Sequence, residues 1–121
     1  IVRGAAGVRA GDRLRRGLIV IEGDAGDALG ARMIAGTMIV LGATQGRVGY
    51  LNKRGTLALA RGRDFGATYL DCGAHDFTFA GLLARSLQQT SAEAAQLLSS
   101  KLQKFGGDTS VYGKGEILTP L

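Results

Sequence analysis

The sequence predicts an all-β fold with an α-helical tail, namely a right-handed parallel β-helix of about 19-residue coils, capped by a C-terminal pair of helices. Glycines and apolar residues that recur with one shared period predict the coils, and a change to helical spacing near residue 79 predicts the cap. We therefore expect a glycine-repeat β-helix over residues 1–78 and a helical cap with a C-terminal tail over residues 79–121.

The glycine repeat is the stronger of these signals. Four columns share a spacing of 19 residues, and their members are Gly4, Gly23, Gly42; Gly7, Gly26; Gly11, Gly30, Gly49; and Gly17, Gly36, Gly55. A 19-residue unit is too short for a strand and a crossover helix, which need about 30 residues, so it fits one coil whose strands lie on those of the coil below. The predicted corners are Gly23, Gly26, Gly30, Gly42 and Gly49, where the chain bends with positive φ or closely approaches the neighbouring coil.

The stretch GDAGDALG (23–30) also admits another interpretation, a loop that cradles a phosphate group. Such a loop occurs once in a domain, whereas this glycine pattern recurs, which favours structural corners. The other glycine-rich stretch, GDTSVYGKG (107–115), has the wrong spacing for a phosphate-binding loop and carries Gly115 where Ser or Thr should hold magnesium.

Apolar columns follow the same period. The columns predicted to point inward are Ile19, Met38, Leu57; Ile21, Val40, Leu59; and Ala10, Leu29, Val48, Ala67. Side chains alternate between the two faces of a strand, so Val20, Ile39 and Ala58 should point outward. An outward apolar stripe must be covered by the C-terminal part of the chain or by another subunit, and we assign it as a partner interface.

Helical spacing replaces the repeat in the C-terminal third. FAGLLARSLQQ (79–89) predicts a short helix, and TSAE (90–93) predicts a capping box that opens a second one. The apolar stripe of the second helix comprises Ala94, Leu97, Leu98, Leu102 and Phe105, and Gly106-Gly107 ends it. This pair is expected to cap the C-terminal end of the β-helix. No comparable segment caps the N-terminal end, so we expect upstream coils or a partner there.

The charge of the chain is uneven. The net charge is +5, but residues up to Arg63 carry eleven Lys and Arg against four Asp and Glu. A basic ridge of Arg9, Arg13, Arg32 and Arg47 is either a solvated surface or a binding surface for an anion. The chain has no Trp and its aromatic residues do not interleave with the arginines, which argues against nucleic acid as a partner.

Other function classes are disfavoured by what the sequence contains. No apolar run is long enough to cross a membrane, and the single cysteine fits a protein of the reducing cytoplasm. Cys72 and His75 in LDCGAHD supply half of a zinc site, and the chain has no second pair. No nucleophile or carboxylate pair has an evident base partner, so we predict neither a metal site nor catalytic residues.

The stretches GDAGDALG and AGTMIVLGATQGRVG resemble a glycine-repeat β-helix domain shared by two enzyme systems. One comprises the C-type component of formylmethanofuran dehydrogenase and the similar C-type component of the formyltransferase/hydrolase complex. The other is the C-terminal domain of the glutamate synthase large chain. The ending GDTSVYGKGEIL (107–118) is more similar to the closing segment of the C-type components.

The resemblance implies a cytoplasmic scaffold subunit that assembles with A, B and D type subunits in one-carbon metabolism. Chemistry in these complexes belongs to the other subunits, which use a methanofuran-type coenzyme with zinc, or a molybdenum or tungsten pterin. No cofactor is expected on this chain. The coenzymes of this family carry glutamyl chains, and the basic ridge is a candidate site for such a tail.

The Arg-rich balance of this chain favours the formyltransferase/hydrolase complex, which releases formate, over the dehydrogenase. Two alternatives remain open at this point. One is a β-helix spacer domain of a glutamate synthase, and the other is a free-standing module that binds an anion.

Overall fold

A computed structural model of the chain describes residues 1–61, 68–111 and 113–120. Its elements are β1 (Leu18–Ile21), β2 (Thr37–Val40), β3 (Thr56–Leu59), β4 (Leu70–His75), α1 (Thr78–Leu87), α2 (Ala92–Ser99), β5 (Leu102–Gly107), a 3-10 turn (Thr109–Val111) and β6 (Gly115–Pro120). The predicted combination of β-structure with an α-helical pair is confirmed.

All six strands belong to one open sheet in the order β1-β2-β3-β6-β5-β4. Strands β1, β2, β3 and β6 pair in parallel, whereas β5 is antiparallel to both of its neighbours, β6 and β4, so the sheet is mixed. Leu18 pairs with Thr37 and Thr37 with Thr56, which is the spacing of the glycine repeat. The described strands thus form an open, mixed sheet, in which β1, β2, β3 and β6 have the parallel stacking expected of a β-helix.

The repeats also pair outside their strands. Ala6 N donates to Asp24 O at 2.8 Å, Ala25 N to Ala43 O at 2.9 Å, and Arg32 N to Tyr50 O at 2.6 Å. In each case the acceptor belongs to the following repeat. These bonds satisfy polar backbone groups along the turns as well as along the strands. Successive 19-residue units thus stack over most of their length.

The five predicted corner glycines divide into two physical classes. Gly30 and Gly49 have φ of +64° and +66°, which is the left-handed region that favours glycine. Gly23, Gly26 and Gly42 instead lie against the backbone of the preceding unit. A Cβ on Gly42, for example, would overlap the carbonyl of Gly23.

Two hydrophobic clusters lie on opposite faces of the sheet. The cluster inside the stacked units contains most of the predicted inward columns, including the fully buried Met38, Leu57, Leu29 and Val48. Ile19 and Ala10 are partly buried at its margin. Ala67, the last member of the third column, lies outside the described residues.

The second cluster corrects the partner-interface prediction. Val20, Ile39 and Ala58 are 1%, 0% and 0% exposed, because they pack under apolar residues of α1 and α2. The stripe does point away from the interior of the coils, as strand alternation requires. The chain's own helices cover it, so it is not available to another subunit.

The helices do not cap the C-terminal end of the repeat as predicted, because they pack on the outward apolar stripe. The helices lie on a face of the sheet, and the C-terminal edge of the repeat is extended by β6, which pairs parallel with β3. Strands β5 and β6 belong to residues 79–121 and lie in the same sheet as β1 to β4, so one sheet spans both predicted segments.

The second helix also differs from its prediction. Its N-cap is Ser91, whose side chain accepts from Ala94 N, and the helix ends at Ser99. Leu102 and Phe105 lie in β5, where they pair with Pro120 and Ile117 of β6. Helical spacing continued into this segment by chance, and long-range pairing with β6 decided its conformation.

Candidate anion-binding surface

Three stacked turns carry the predicted basic ridge. Each turn places three alternate residues in the left-handed region, and these are Arg9, Gly11, Arg13; Ala28, Gly30, Arg32; and Arg47, Gly49, Leu51. The two outer positions lie two residues before and two residues after a column glycine. This position relative to the glycine is the sequence signal that could have identified the conformation.

All four arginines of the ridge therefore have positive φ, between 53° and 59°. A residue with a Cβ pays on the order of 1 kcal/mol there, which persists only when surrounding structure holds it. The surrounding bonds come from the next unit: Arg9 N donates to Asp27 O and Arg13 N to Ala31 O. The stacking of the repeats thus fixes the direction of these side chains.

Two of the arginines are already paired with carboxylates. Arg32 binds Asp12 through two hydrogen bonds, Nε to Oδ1 at 3.2 Å and Nη2 to Oδ2 at 3.1 Å. Arg47 Nη2 donates to Asp27 Oδ2 at 2.8 Å. That hydrogen bond holds the pKa of Asp27 below its usual value and raises the pKa of Arg47. Arg32 and Arg47 are therefore less available to an external anion than their charge suggests.

The structure divides the predicted ridge between two surface pockets. A smaller pocket of about 110 Å³ is lined by Arg9, Ala28, Ala31, Arg32, Arg47 and Tyr50. A larger one of about 300 Å³ is lined by Arg13, Arg32, Ile34, Leu51, Lys53 and Val111. Arg9, Arg32 and Arg47 thus meet in the smaller pocket, and Arg13 lies in the larger one. Arg32 lines both pockets. Sequence reasoning missed Lys53, which joins Arg13 two units away.

The segment that begins GDTSV contributes Val111 to the larger pocket and contacts the last stacked turn. The buried Asp108 accepts hydrogen bonds at Oδ2 from Leu51 N and at Oδ1 from Ser110 N and Oγ. Burial alone would raise the pKa of Asp108, but these bonds outweigh it and hold the pKa below its usual value. Val111 follows directly and lines the pocket.

Asn52 supports the same closure from the last repeat. Its fully buried side chain donates to Gly55 O at 3.0 Å and accepts from Gly55 N at 2.7 Å. The backbone carbonyl of Asn52 accepts a hydrogen bond from Asp108 N at 3.1 Å. A Cβ on Gly113 or Gly115 would overlap Asn52, so both glycines permit this approach.

Cys72 and His75 lie elsewhere, on the edge strand β4. Both are largely exposed, and His75 Nε2 is 2.8 Å from the carbonyl oxygen of Cys72. Over residues 1–61, 68–111 and 113–120, no three His, Cys, Asp or Glu side chains converge as metal ligands would. In the same part of the chain, neither helix has the length and apolar character of a membrane span.

Comparison with known proteins gives one consistent relationship. No protein-family model matches the chain. The chain is 42% identical over 109 residues to the C-type component of the formyltransferase/hydrolase complex Fhc of Methylorubrum extorquens, covering 90% of this chain and 41% of that protein.

A solved structure agrees with the sequence match. The crystal structure of the formyltransferase/hydrolase complex FhcABCD from Methylorubrum extorquens, in complex with methylofuran, contains a chain similar at a TM-score of 0.86 and 41% identity. The alignment covers 98% of this chain and 44% of that one, so the present chain spans less than half the length of the relatives it matches. The resemblance predicted from the sequence is thus confirmed, and over nine-tenths of its length this chain is homologous to part of the C-type component of a formyltransferase/hydrolase complex.

Proposed function

We propose that this chain forms part of a non-catalytic scaffold subunit, of C type, in a cytoplasmic complex that transfers a formyl group from a furan coenzyme and releases it as formate. The observation that carries the proposal is 42% identity to the C-type component of Fhc over 90% of the chain. Its partners are subunits of A, B and D type, in a hetero-oligomer.

The geometry supports a scaffold role. The stacked repeats bury one core between them and a second beneath the two helices, so most of the chain's apolar surface packs within the chain itself. In the described residues, four ion pairs join neighbouring segments, and no three His, Cys, Asp or Glu side chains converge. We further propose that the full subunit is a right-handed parallel β-helix, in which the present units are consecutive coils.

The basic ridge is proposed as the surface along which the acidic tail of the furan coenzyme lies. Arg9, Arg32 and Arg47 line one pocket and Arg13 the next, and Arg32 and Arg47 are partly neutralised by Asp12 and Asp27. The relative's structure is in complex with methylofuran, which supports a coenzyme of that class. Replacing Arg13 and Arg32 with Ala should weaken coenzyme binding by the whole complex at low salt. Binding that is unchanged at about 20 mM salt would contradict this assignment.

Native purification of the full-length, untagged protein tests the scaffold assignment. Mass spectrometry should find formyltransferase-type and amidohydrolase-type subunits with it, and no molybdenum or tungsten. A molybdenum or tungsten subunit would move the assignment to a formylmethanofuran dehydrogenase. A single very long polypeptide would indicate a glutamate synthase spacer, and a protein recovered alone would indicate a free-standing anion-binding module.

A further inference from the structure

We infer that the larger pocket binds an acidic segment of a partner polypeptide, one that carries an apolar side chain beside its carboxylates. We name this surface the Arg13–Lys53 pocket, lined by Arg13, Arg32, Ile34, Leu51, Lys53 and Val111. The inference deepens the proposed scaffold function by giving the chemistry of one partner contact, and it rests on that function.

The charges of the pocket are the first argument. Within the described residues, the structure gives Arg32 an acidic partner in Asp12 and gives none to Arg13 or Lys53. Both of these cations are exposed at the rim. The pocket therefore presents two uncompensated positive charges together with a guanidinium that is already oriented, and it selects for an anion with more than one carboxylate.

The apolar lining is the second argument. Ile34 is 38% exposed, Leu51 and Val111 are half-buried, and all three face the same pocket as the cations. The volume of about 300 Å³ accommodates a bulky side chain and lies at the lower end of ligand-pocket sizes. A ligand that offered only carboxylates would leave these apolar groups in contact with water.

This combination distinguishes a polypeptide from a bare glutamyl tail. The neighbouring pocket contains Arg9, Arg32 and Arg47 with two alanines and Tyr50, so its one large nonpolar group is a ring that carries a hydroxyl. The Arg13–Lys53 pocket instead presents three aliphatic side chains, Ile34, Leu51 and Val111. A peptide that alternates acidic and apolar residues uses both features, whereas a polyglutamate uses only the first.

The pocket is held in place before any ligand arrives. Lys53 N donates to Met33 O, and Lys53 O accepts from Lys114 N, so the last repeat is bonded on both sides. Asp108 fixes Leu51 in the same way through its amide. These bonds fix the backbone of the pocket, so binding orders the side chains of Arg13 and Lys53 but not the chain segments that carry them.

The test uses the purified full-length protein and three fluorescent peptides of equal length, read by fluorescence anisotropy at low salt. The peptides are Glu-Glu-Leu-Glu-Glu, Glu-Glu-Ser-Glu-Glu and pentaglutamate. The leucine peptide should bind about 5-fold more tightly than the serine peptide, which carries the same charge, because part of one apolar side chain leaves water. Equal binding of all three peptides would overturn the inference and favour the coenzyme tail. Absence of binding would also overturn it.

Two variants separate the contributions of charge and apolar surface. Lys53→Ala should weaken all three peptides by about 5-fold, the effect of one charged contact at low salt. Leu51→Asn should remove the preference for leucine while preserving the fold, because Asn tolerates the left-handed backbone at this position. A preference that survives Leu51→Asn would contradict the assigned wall.

Arg85→Ala, which removes an exposed charge on α1, is the matched control and should bind like the unaltered protein. Circular dichroism of each variant checks that the fold is retained. The proposed function fails or holds independently of these results, because co-purifying subunits are identified by mass without reference to this pocket.

Discussion

The Oδ2 atom of Asp108 accepts a hydrogen bond of 2.8 Å from the amide of Leu51, which lies 57 residues earlier in the chain. In the preceding unit the equivalent amide, Arg32 N, donates to the carbonyl of Tyr50 in the next unit. At Leu51 the Asp108 carboxylate takes the place of that carbonyl. The closing segment thus ends the stack by supplying an acceptor that a further repeat would otherwise provide.

We expect Asp108→Ala to lower the free energy of unfolding by about 2 to 3 kcal/mol at neutral pH. The Leu51 amide would lose its acceptor inside the protein, and an unsatisfied buried donor costs about that much. Urea denaturation of the two proteins measures the difference. A loss below about 0.5 kcal/mol would show that water replaces the carboxylate at no cost.

The same carboxylate predicts a pH dependence. The pKa of Asp108 is lower in the folded protein than its usual value of 3.8. Its contribution to stability is therefore complete above the unfolded-state pKa, about 3.9, and is lost as the pH falls through the folded-state value below it. Asp108→Asn should reduce the slope of stability against pH between about pH 4 and pH 2. An unchanged slope would assign that dependence to other carboxylates.

Gly42 and Gly46 form a matched pair for testing the close stacking of the units. A Cβ on Gly42 would overlap Gly23 O, whereas no heavy atom lies within 4 Å of a Cβ on Gly46. We expect Gly42→Ala to cost about 2 to 3 kcal/mol through forced separation of the turns. Gly46→Ala should be neutral or stabilising by up to about 1 kcal/mol. Equal thermal shifts in the two variants would contradict the assigned role of Gly42.

Ile39 and Ile34 test whether the outward stripe belongs to the core. Ile39 is fully buried beneath the helices, and Ile34 is 38% exposed. Ile39→Ala should cost about 2 to 4 kcal/mol in the isolated protein, and Ile34→Ala less than about 1 kcal/mol, as urea denaturation would measure. A stripe reserved for another subunit would instead give similar small losses at both positions.

Ser91 and Thr90 test which residue caps α2. The Ser91 side chain accepts from Ala94 N, so Ser91→Ala should destabilise the protein by about 1 kcal/mol in thermal or urea unfolding. Thr90→Ala should change stability by less than about 0.5 kcal/mol, because the neighbouring contact from Arg3 uses the Thr90 carbonyl and survives the substitution. The reverse order of effects would restore the capping box predicted from the sequence.

The candidate surface was partly visible in the sequence. Arg9, Arg13, Arg32 and Arg47 occur at repeating positions, so their common face follows from the period alone. Their left-handed conformation, the pairing of Arg32 with Asp12 and the participation of Lys53 depend on how neighbouring units overlap. Whether a charge is paired is decided by atoms from different units, and a linear pattern does not specify those distances.

The sequence by itself determined the stacked part of this protein. A repeat pairs each residue with its own counterpart 19 positions later, so periodic glycines and alternating apolar residues specify the register of β1 to β3 and the inward columns. The tertiary structure alone decided the remainder. The helices cover Ile39, and β5 displaces the predicted end of the second helix by pairing with β6. These outcomes depend on contacts between segments without a shared period, where long-range burial and pairing outweigh local helical preference.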